Sequence, residues 1–193
     1  MADEEDKCTM ERLQDGDDLA LNDIMARWKE PLITFCYRYT GNPTDAREIA
    51  QETFVKVYQS RHRYKPVKGV KFSTWLFRIA ANLCRMRHRW KSRHPEVFEA
   101  DREKLLETQR SQAESSDDPR HSLDLKTLSA DLDAAIRMLP SDLRTAFILQ
   151  EVQGTSQADI AAIQNCTVKS VERRLARARA TLRNLLQEKW RSS

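Results

Sequence analysis

Apolar side chains in this chain recur at steps of three and four residues almost from end to end, and nowhere do they alternate with polar ones over a strand's length. A period near 3.6 buries one face of a helix, whereas a half-buried strand needs a period of 2, so the chain reads as all-α. Only four glycines occur, Gly16, Gly41, Gly69 and Gly154, each beside a turn. A Gly-rich phosphate loop or a dinucleotide fold needs several glycines in one short turn, and both are excluded. With 193 residues, 40% of them hydrophobic, two small helical domains fit better than one deep core.

The first clear segment, Leu19 to about Tyr39, places Leu21, Ile24, Met25, Trp28, Leu32, Phe35 and Cys36 on one helix face, and ends at Thr40-Gly41-Asn42-Pro43. Thr44 is the expected cap of a helix through Tyr58 with inner face Ala46, Ile49, Ala50, Thr53, Phe54 and Val57, and outer face Glu48, Gln51, Glu52 and Lys56. Pro66 and Gly69 make Arg63 to Lys71 a basic loop, after which Ser73 is the expected cap of a helix to about Lys91. His94 to Lys126, with Pro95, Pro119 and a Ser/Asp/Glu-rich run, reads as a flexible acidic linker. Helical spacing returns at Leu128, Leu132, Ala135, Ile136 and Leu139, stops at Pro140, and resumes from Pro140 or Ser141 through Val152.

The most specific local pattern follows. Ser156 caps a short helix, Gln157 to Ile163; a tight turn at Gln164-Asn165-Cys166 leads to a long basic helix, which together make a helix-turn-helix. Val168, Val171, Leu175, Ala178, Leu182 and Leu185 form the inward stripe of that last helix. The opposite face carries Lys169, Arg173, Ala176, Ala180 and Arg183, flanked by Ser170, Glu172 and Arg177, a surface suited to a major groove.

Net charge is only +4, but the charges are segregated. Met1 to Glu30 holds ten acids against four bases, while Thr53 to Pro95 holds twelve bases and no acid. Glu96 to Pro119 is acidic again, and Lys169 to Ser193 carries eight bases against Glu172 and Glu188. Two basic blocks on either side of an acidic one suit two sites on one polyanion, because each Lys or Arg near a phosphate releases counterions; a basic surface can equally meet acidic lipid. Aromatics interleave with the first block (Tyr58, Tyr64, Phe72, Trp75, Phe77, Trp90), which suits stacking on unpaired bases as well as core packing. The four cysteines are scattered and read as reduced thiols; Cys84 and His88 could supply two metal ligands, but no second pair lies nearby, so no metal and no cofactor is expected. No uncharged stretch reaches the roughly 20 residues of a membrane span, and the acidic N-terminus is unlike a signal peptide, so a cytoplasmic protein is expected.

These residues resemble the extracytoplasmic-function (group four) sigma factors of bacterial RNA polymerase, over about Leu19 to Arg93 and Leu128 to Leu186. Asp45-Ala46-Arg47-Glu48-Ile49-Ala50-Gln51-Glu52-Thr53-Phe54 resembles the family's polymerase-binding helix, and Phe72-Ser73-Thr74-Trp75-Leu76-Phe77-Arg78-Ile79-Ala80-Ala81-Asn82 its promoter-melting segment. Leu139-Pro140 with Arg144, Ser156 to Ala161 and Val168 to Arg179 resemble its promoter-reading domain. Asn165 stands where the family often has glycine, and Ala158 where it often has an acid.

Taken with the charge pattern, which marks an acidic N-terminal extension (1–18) and an acidic linker (94–126), the resemblance implies a region-2-like domain (19–93) and a region-4-like helix-turn-helix domain (127–193). It implies core-polymerase contacts at Asp45, Glu48, Gln51 and Glu52. Arg63, Lys65, Lys68, Lys71, Phe72, Trp75, Arg78, Asn82 and Arg85 would meet the unpaired strand of the downstream promoter element. Ser156, Thr167, Lys169, Ser170, Glu172, Arg173 and Arg177 would meet the upstream element. Core RNA polymerase, promoter DNA and an anti-sigma factor are the implied partners, and no catalysis is implied. One alternative, a helix-turn-helix regulator that binds duplex DNA without polymerase, leaves Asp45 to Phe54 and the acid-free block without roles. A nucleic-acid enzyme lacks the paired carboxylates or metal cluster it would need.

Overall fold

The structure, a computed structural model, describes residues 2–67, 69–94 and 119–191, with side chains described in the last stretch from 129. Every regular element among them is helical: α1 (Ala2–Gln14), α2 (Ala20–Thr40), α3 (Pro43–Gln59), a 3-10 turn (Arg61–Arg63), α4 (Phe72–Arg93), α5 (Pro119–Met138), α6 (Ser141–Glu151), α7 (Gln157–Ile163) and α8 (Val168–Arg191). Lys68 and 95–118 lie outside the described residues, and the expectation of a flexible acidic linker falls there. The last part of that expected linker, from Pro119, opens α5 instead.

In the N-terminal half, α2, α3 and α4 pack around Ile24, Leu32, Phe35, Ile49, Phe54, Val57, Leu76 and Phe77, all buried. The phenyl rings of Phe35 and Phe77 meet edge to face at 5.5 Å, a geometry that adds to their area burial. All six residues read as the inner face of α3 are buried. Its cap is Asn42 rather than Thr44: the Asn42 side chain accepts from the Thr44 and Asp45 amides at 2.8 and 3.1 Å, with Pro43 in the first turn, where its missing N–H costs nothing. Gly41 closes α2 with φ +70°, a conformation that favours glycine; a methyl group there would meet only the end of the Arg137 side chain, which can move aside.

The acidic stretch expected as an extension is the helix α1, and it belongs to this half. Met10 and Leu13 are fully buried, worth about 1.5–3 kcal/mol each by area burial. Asp6 is buried too, receiving Trp28 Nε1 at 3.2 Å and pairing with Arg27 at 3.0 Å. Burial raises its carboxyl above the ordinary value even though Trp28 and Arg27 pull it down.

In the C-terminal half, Leu143, Ile148 and Leu149 of α6, Ile160 and Ile163 of α7 and Val171, Leu175, Ala178 and Leu182 of α8 bury one another. Val168 was read as the start of the α8 stripe but is 42% exposed. The buried residues of both halves form one connected cluster.

Candidate nucleic-acid interface

The first basic block builds its surface around the loop between the 3-10 turn and α4. Arg63, Tyr64, Lys65, Lys71, Trp75 and Arg78 line a pocket of about 390 Å³ there. Tyr64 and Trp75 rings stand 5.0 Å apart, and both pack on Phe72. Trp75 stays partly exposed, and Arg78 is exposed, so cations and an aromatic face share one opening. Such a combination holds a base by stacking and its backbone by charge. Phe72, read as a contact to the strand, is instead fully buried under Tyr64 and Trp75 and close to Trp28. It supports the pocket from beneath, because a phenyl group with no polar atom gains more from the core than from the rim. Asn82 and Arg85 lie along α4 beyond the pocket, bonded to each other, with Asn82 exposed at a groove lined by Lys56, Arg63 and Met86.

The helix-turn-helix is formed as its local pattern requires. Ser156 Oγ accepts from the Asp159 amide at 3.1 Å to cap α7, and Asn165 takes the left-handed conformation, φ +50°, that turns the chain into α8. Thr167 and Ser170 hydroxyls meet at 2.9 Å at the start of α8. Lys169, Glu172, Arg173 and Arg177 are exposed on one side, opposite the buried stripe. Two other arginines are spent on structure: Arg174 reaches Gln164 at 2.9 Å and Asp142 at 3.3 Å, and Arg179 pairs with Glu151 at 2.7 Å. Their flanking positions separate the fixing cations from the free basic face.

On α3, Glu48, Gln51 and Glu52 are exposed with Val55 between turns. Asp45 is buried at the edge of that face and shares Arg87 with Glu48, which the guanidinium reaches at 3.0 Å. Only 6% exposed, it pairs with Arg87 at 2.9 Å and Lys91 at 2.5 Å and ties α3 to α4. A buried carboxylate between two cations has no reason to leave them for a distant surface.

Two family models match: "Sigma-70 region 2" over residues 24–94, and "Sigma-70, region 4" over 129–182. An ECF RNA polymerase sigma-E factor of Haemophilus influenzae is 33% identical over 191 residues, which cover 94% of this chain and 95% of that one. The chain is an extracytoplasmic-function sigma factor. An RNA polymerase sigma-H factor of Pseudomonas aeruginosa is 29% identical over 194 residues, 95% of each chain. Among solved structures, CnrH in complex with the cytosolic domain of CnrY shares the fold, with TM-score 0.69 over 95% of this chain and 98% of that one, at 24% identity. The sigma factor RpoE in complex with the anti-sigma factor NepR from Bartonella quintana gives TM-score 0.57 at 25% identity, over 88% of this chain and 98% of that one.

As a sigma factor the chain binds core RNA polymerase, directs it to promoters and is an initiation factor rather than an enzyme. The reading as a regulator that works without polymerase falls with the region 2 match. No helix among the described residues is long and apolar enough to cross a membrane. Cys84 lies buried against Cys36, sulfurs 3.8 Å apart, and burial together with that neighbour raises its thiol pKa, so it stays protonated.

The two halves of this sigma factor dock on each other. Asp159 of α7 accepts from Lys71 at 3.0 Å and from Thr74 at 3.3 Å, and Arg78 donates to the Ala162 carbonyl. Burial would raise the Asp159 carboxyl, but hydrogen bonds from Ser156 and Lys71 outweigh it and hold the pKa below the ordinary value. On the other side of the seam Arg144, 3% exposed, donates to the carbonyls of Tyr39 and Leu139, each at 3.1 Å, and of Arg137. These carbonyls end α2 and α5, where the helix dipoles favour a cation, so Arg144 pins two helix ends at once. Gln153 donates to the Pro31 carbonyl at 3.1 Å, and Arg38 pairs with Asp133. None of these inter-half contacts was legible in the sequence.

Proposed function

We propose that this sigma factor grips core polymerase through the exposed α3 face of Glu48, Gln51 and Glu52, holds an unpaired promoter base in the Arg63–Arg78 pocket, and reads the upstream element with α8. The observation that carries the reading is the pocket itself: cations around a partly exposed Trp75, backed by a buried aromatic floor. Arg63, Lys65, Lys71 and Arg78 would track the strand's phosphates, Trp75 would stack on the base, and Asn82 and Arg85 would continue the track along α4. In the upstream element Lys169, Glu172 and Arg173 stand near the end of α8 that enters the groove, with Arg177 one turn on towards phosphate. Ser156, Thr167 and Ser170 order the turn that sets the angle of α8, and their hydroxyls would donate to backbone phosphates.

Because Lys71, Thr74 and Arg78 are engaged by α7, the seam opens when strand and upstream element are bound together. An anti-sigma protein is the partner we assign to the docked form; both CnrH and the Bartonella RpoE were solved with such cytosolic or anti-sigma chains bound. The work is cytoplasmic, where polymerase and promoters are. Two measurements test the reading: co-elution with core polymerase in size-exclusion chromatography, and run-off transcription on genomic fragments by the reconstituted holoenzyme. Co-elution lost on reversing Glu48 and Glu52 supports it, and unchanged co-elution removes α3 from the contact.

A further inference from the structure

Helix α1 precedes the stretch that matches Sigma-70 region 2, yet its side chains hold both ends of the basic loop. At one end Gln14 Nε2 donates to the carbonyls of Arg61 and Tyr64, at 2.7 and 2.8 Å. An amide nitrogen carries two N–H donors, and here both are used, bracketing the 3-10 turn from its first residue to the residue just past it. At the other end the Phe72 amide donates to Asp3 Oδ1 at 2.8 Å. The residue before α4, Lys71, offers no side-chain cap, and Ser73, expected from the sequence to supply one, lies inside the helix. The missing cap therefore comes from a carboxylate 69 residues upstream. Burial would raise the Asp3 carboxyl, but bonds from Lys7 and the Phe72 amide outweigh it and keep the pKa below the ordinary value, so the cap is charged near neutral pH.

A helix is a ruler of fixed pitch. Asp3 and Gln14 are eleven residues apart on α1, about 16 Å along its axis at 1.5 Å per residue. Met10 and Leu13 lock that ruler into the core, and Asp6 fastens its middle to Trp28. The seven residues from Lys65 to Lys71 could span roughly 23 Å if extended, so covalent length alone leaves the mouth of the pocket adjustable.

We propose that Gln14 and Asp3 are positioning residues for promoter opening: α1 holds Tyr64 and Phe72 at a set separation, so that the base pocket stands formed before the strand arrives. Neither residue touches DNA in this role. Their contribution is preorganisation, which saves the strand the cost of ordering the loop. The inference rests on the strand-binding reading above.

The test uses the full-length protein in holoenzyme with core polymerase and a single-stranded non-template oligonucleotide from a promoter that the holoenzyme transcribes. Affinity is compared for the intact oligonucleotide and for the same strand with the flipped base removed. Gln14→Met keeps the bulk and loses both donors, Asp3→Ala loses the cap, and Gln14→Lys restores a donor. Gln14→Met and Asp3→Ala should each cut the intact-to-abasic preference by about 5-fold, the worth of one net hydrogen bond or slightly more. Affinity for core polymerase and for upstream-element duplex should not change, and Gln14→Lys should recover most of the preference. A merely structural role would lower all three affinities together. Wild-type preference retained in Gln14→Met and Asp3→Ala overturns the proposal. If wild-type holoenzyme itself ignores the missing base, the strand-binding reading fails instead. Hydrogen exchange in the free protein then decides the brace: faster exchange at the Tyr64 and Phe72 amides in Gln14→Met and Asp3→Ala keeps it, and unchanged exchange overturns it.

Discussion

The two halves of this sigma factor build their proposed nucleic-acid surfaces in opposite ways. In the C-terminal half, the signals that set the turn and the α8 face lie between Ser156 and Leu182: the Ser156 cap, the left-handed Asn165 and the buried stripe from Val171 to Leu182, which rests on the neighbouring α6. In the N-terminal half the pocket is assembled from distant pieces. Its rim comes from Arg63 to Arg78, its floor from Phe72 under Tyr64, and its fastenings from Asp3 and Gln14. A locally coded surface tolerates change elsewhere in the fold, whereas an assembled one depends on the packing that brings its parts together.

The sharpest way to break this contrast is Phe72→Ala. As a fully buried ring it should cost about 3–5 kcal/mol of unfolding free energy in a urea titration. A strand-contacting Phe72 would leave stability near wild type, and that result would return the residue to the rim. Next in size is charge reversal of Glu48 and Glu52 together, which should weaken core polymerase binding by roughly 2–4 kcal/mol while the fold and upstream-duplex binding stay intact. Unchanged affinity would take α3 out of the interface.

In the C-terminal half Arg173→Ala should cost about 1–3 kcal/mol and relax preference at one upstream position, if its guanidinium pairs bidentately with a guanine. Arg177→Ala should instead weaken every promoter alike and reduce the salt slope by about 1. A panel of single-base variants bound with the same selectivity by wild type and Arg173→Ala would leave Arg173 a phosphate contact only.

The smallest effect tests the seam where the two constructions meet. Asp159→Asn removes the carboxylate shared by Lys71 and Thr74, a partly exposed contact worth less than about 1 kcal/mol. Because the folded-state pKa of Asp159 is depressed, its ionised form is the stabilising one. That contribution is complete above the ordinary carboxylate range and is lost as pH falls through the lowered value. The distance between labels on α4 and α7 should therefore lengthen on acidification in wild type and lose that pH dependence in Asp159→Asn. Equal acid responses in the two proteins would assign the opening to another group.

Helix order, the helix-turn-helix and the basic face of α8 were legible because each depends on a period of 3.6 and on turn residues within a few positions. The helix α1 was missed because ten acids among the first thirty residues look like a solvated extension. Asp6, Met10 and Leu13 at steps of four and three were the available signal, and all three prove buried. Asp45 and Phe72 were placed on contact surfaces by the family resemblance. Their neighbours decide otherwise: Arg87 and Lys91, more than forty residues further along, claim the carboxylate, and the rings of Tyr64 and Trp75 cover the phenyl group.

By itself, then, the order of residues determined the helices from α2 to α4 and from α6 to α8, the turns that end them, and which long helix carries an outward row of cations. Those outcomes follow from short-range sterics, capping and periodicity. Only the tertiary structure decided that α4 takes its cap from Asp3, that Arg144 closes the ends of α2 and α5, and that Asp159 lies against Lys71. Each of these contacts joins groups dozens of residues apart, and such a pair has no local period to announce it. It forms because packed helices bring a buried donor or charge beside the one partner that can satisfy it.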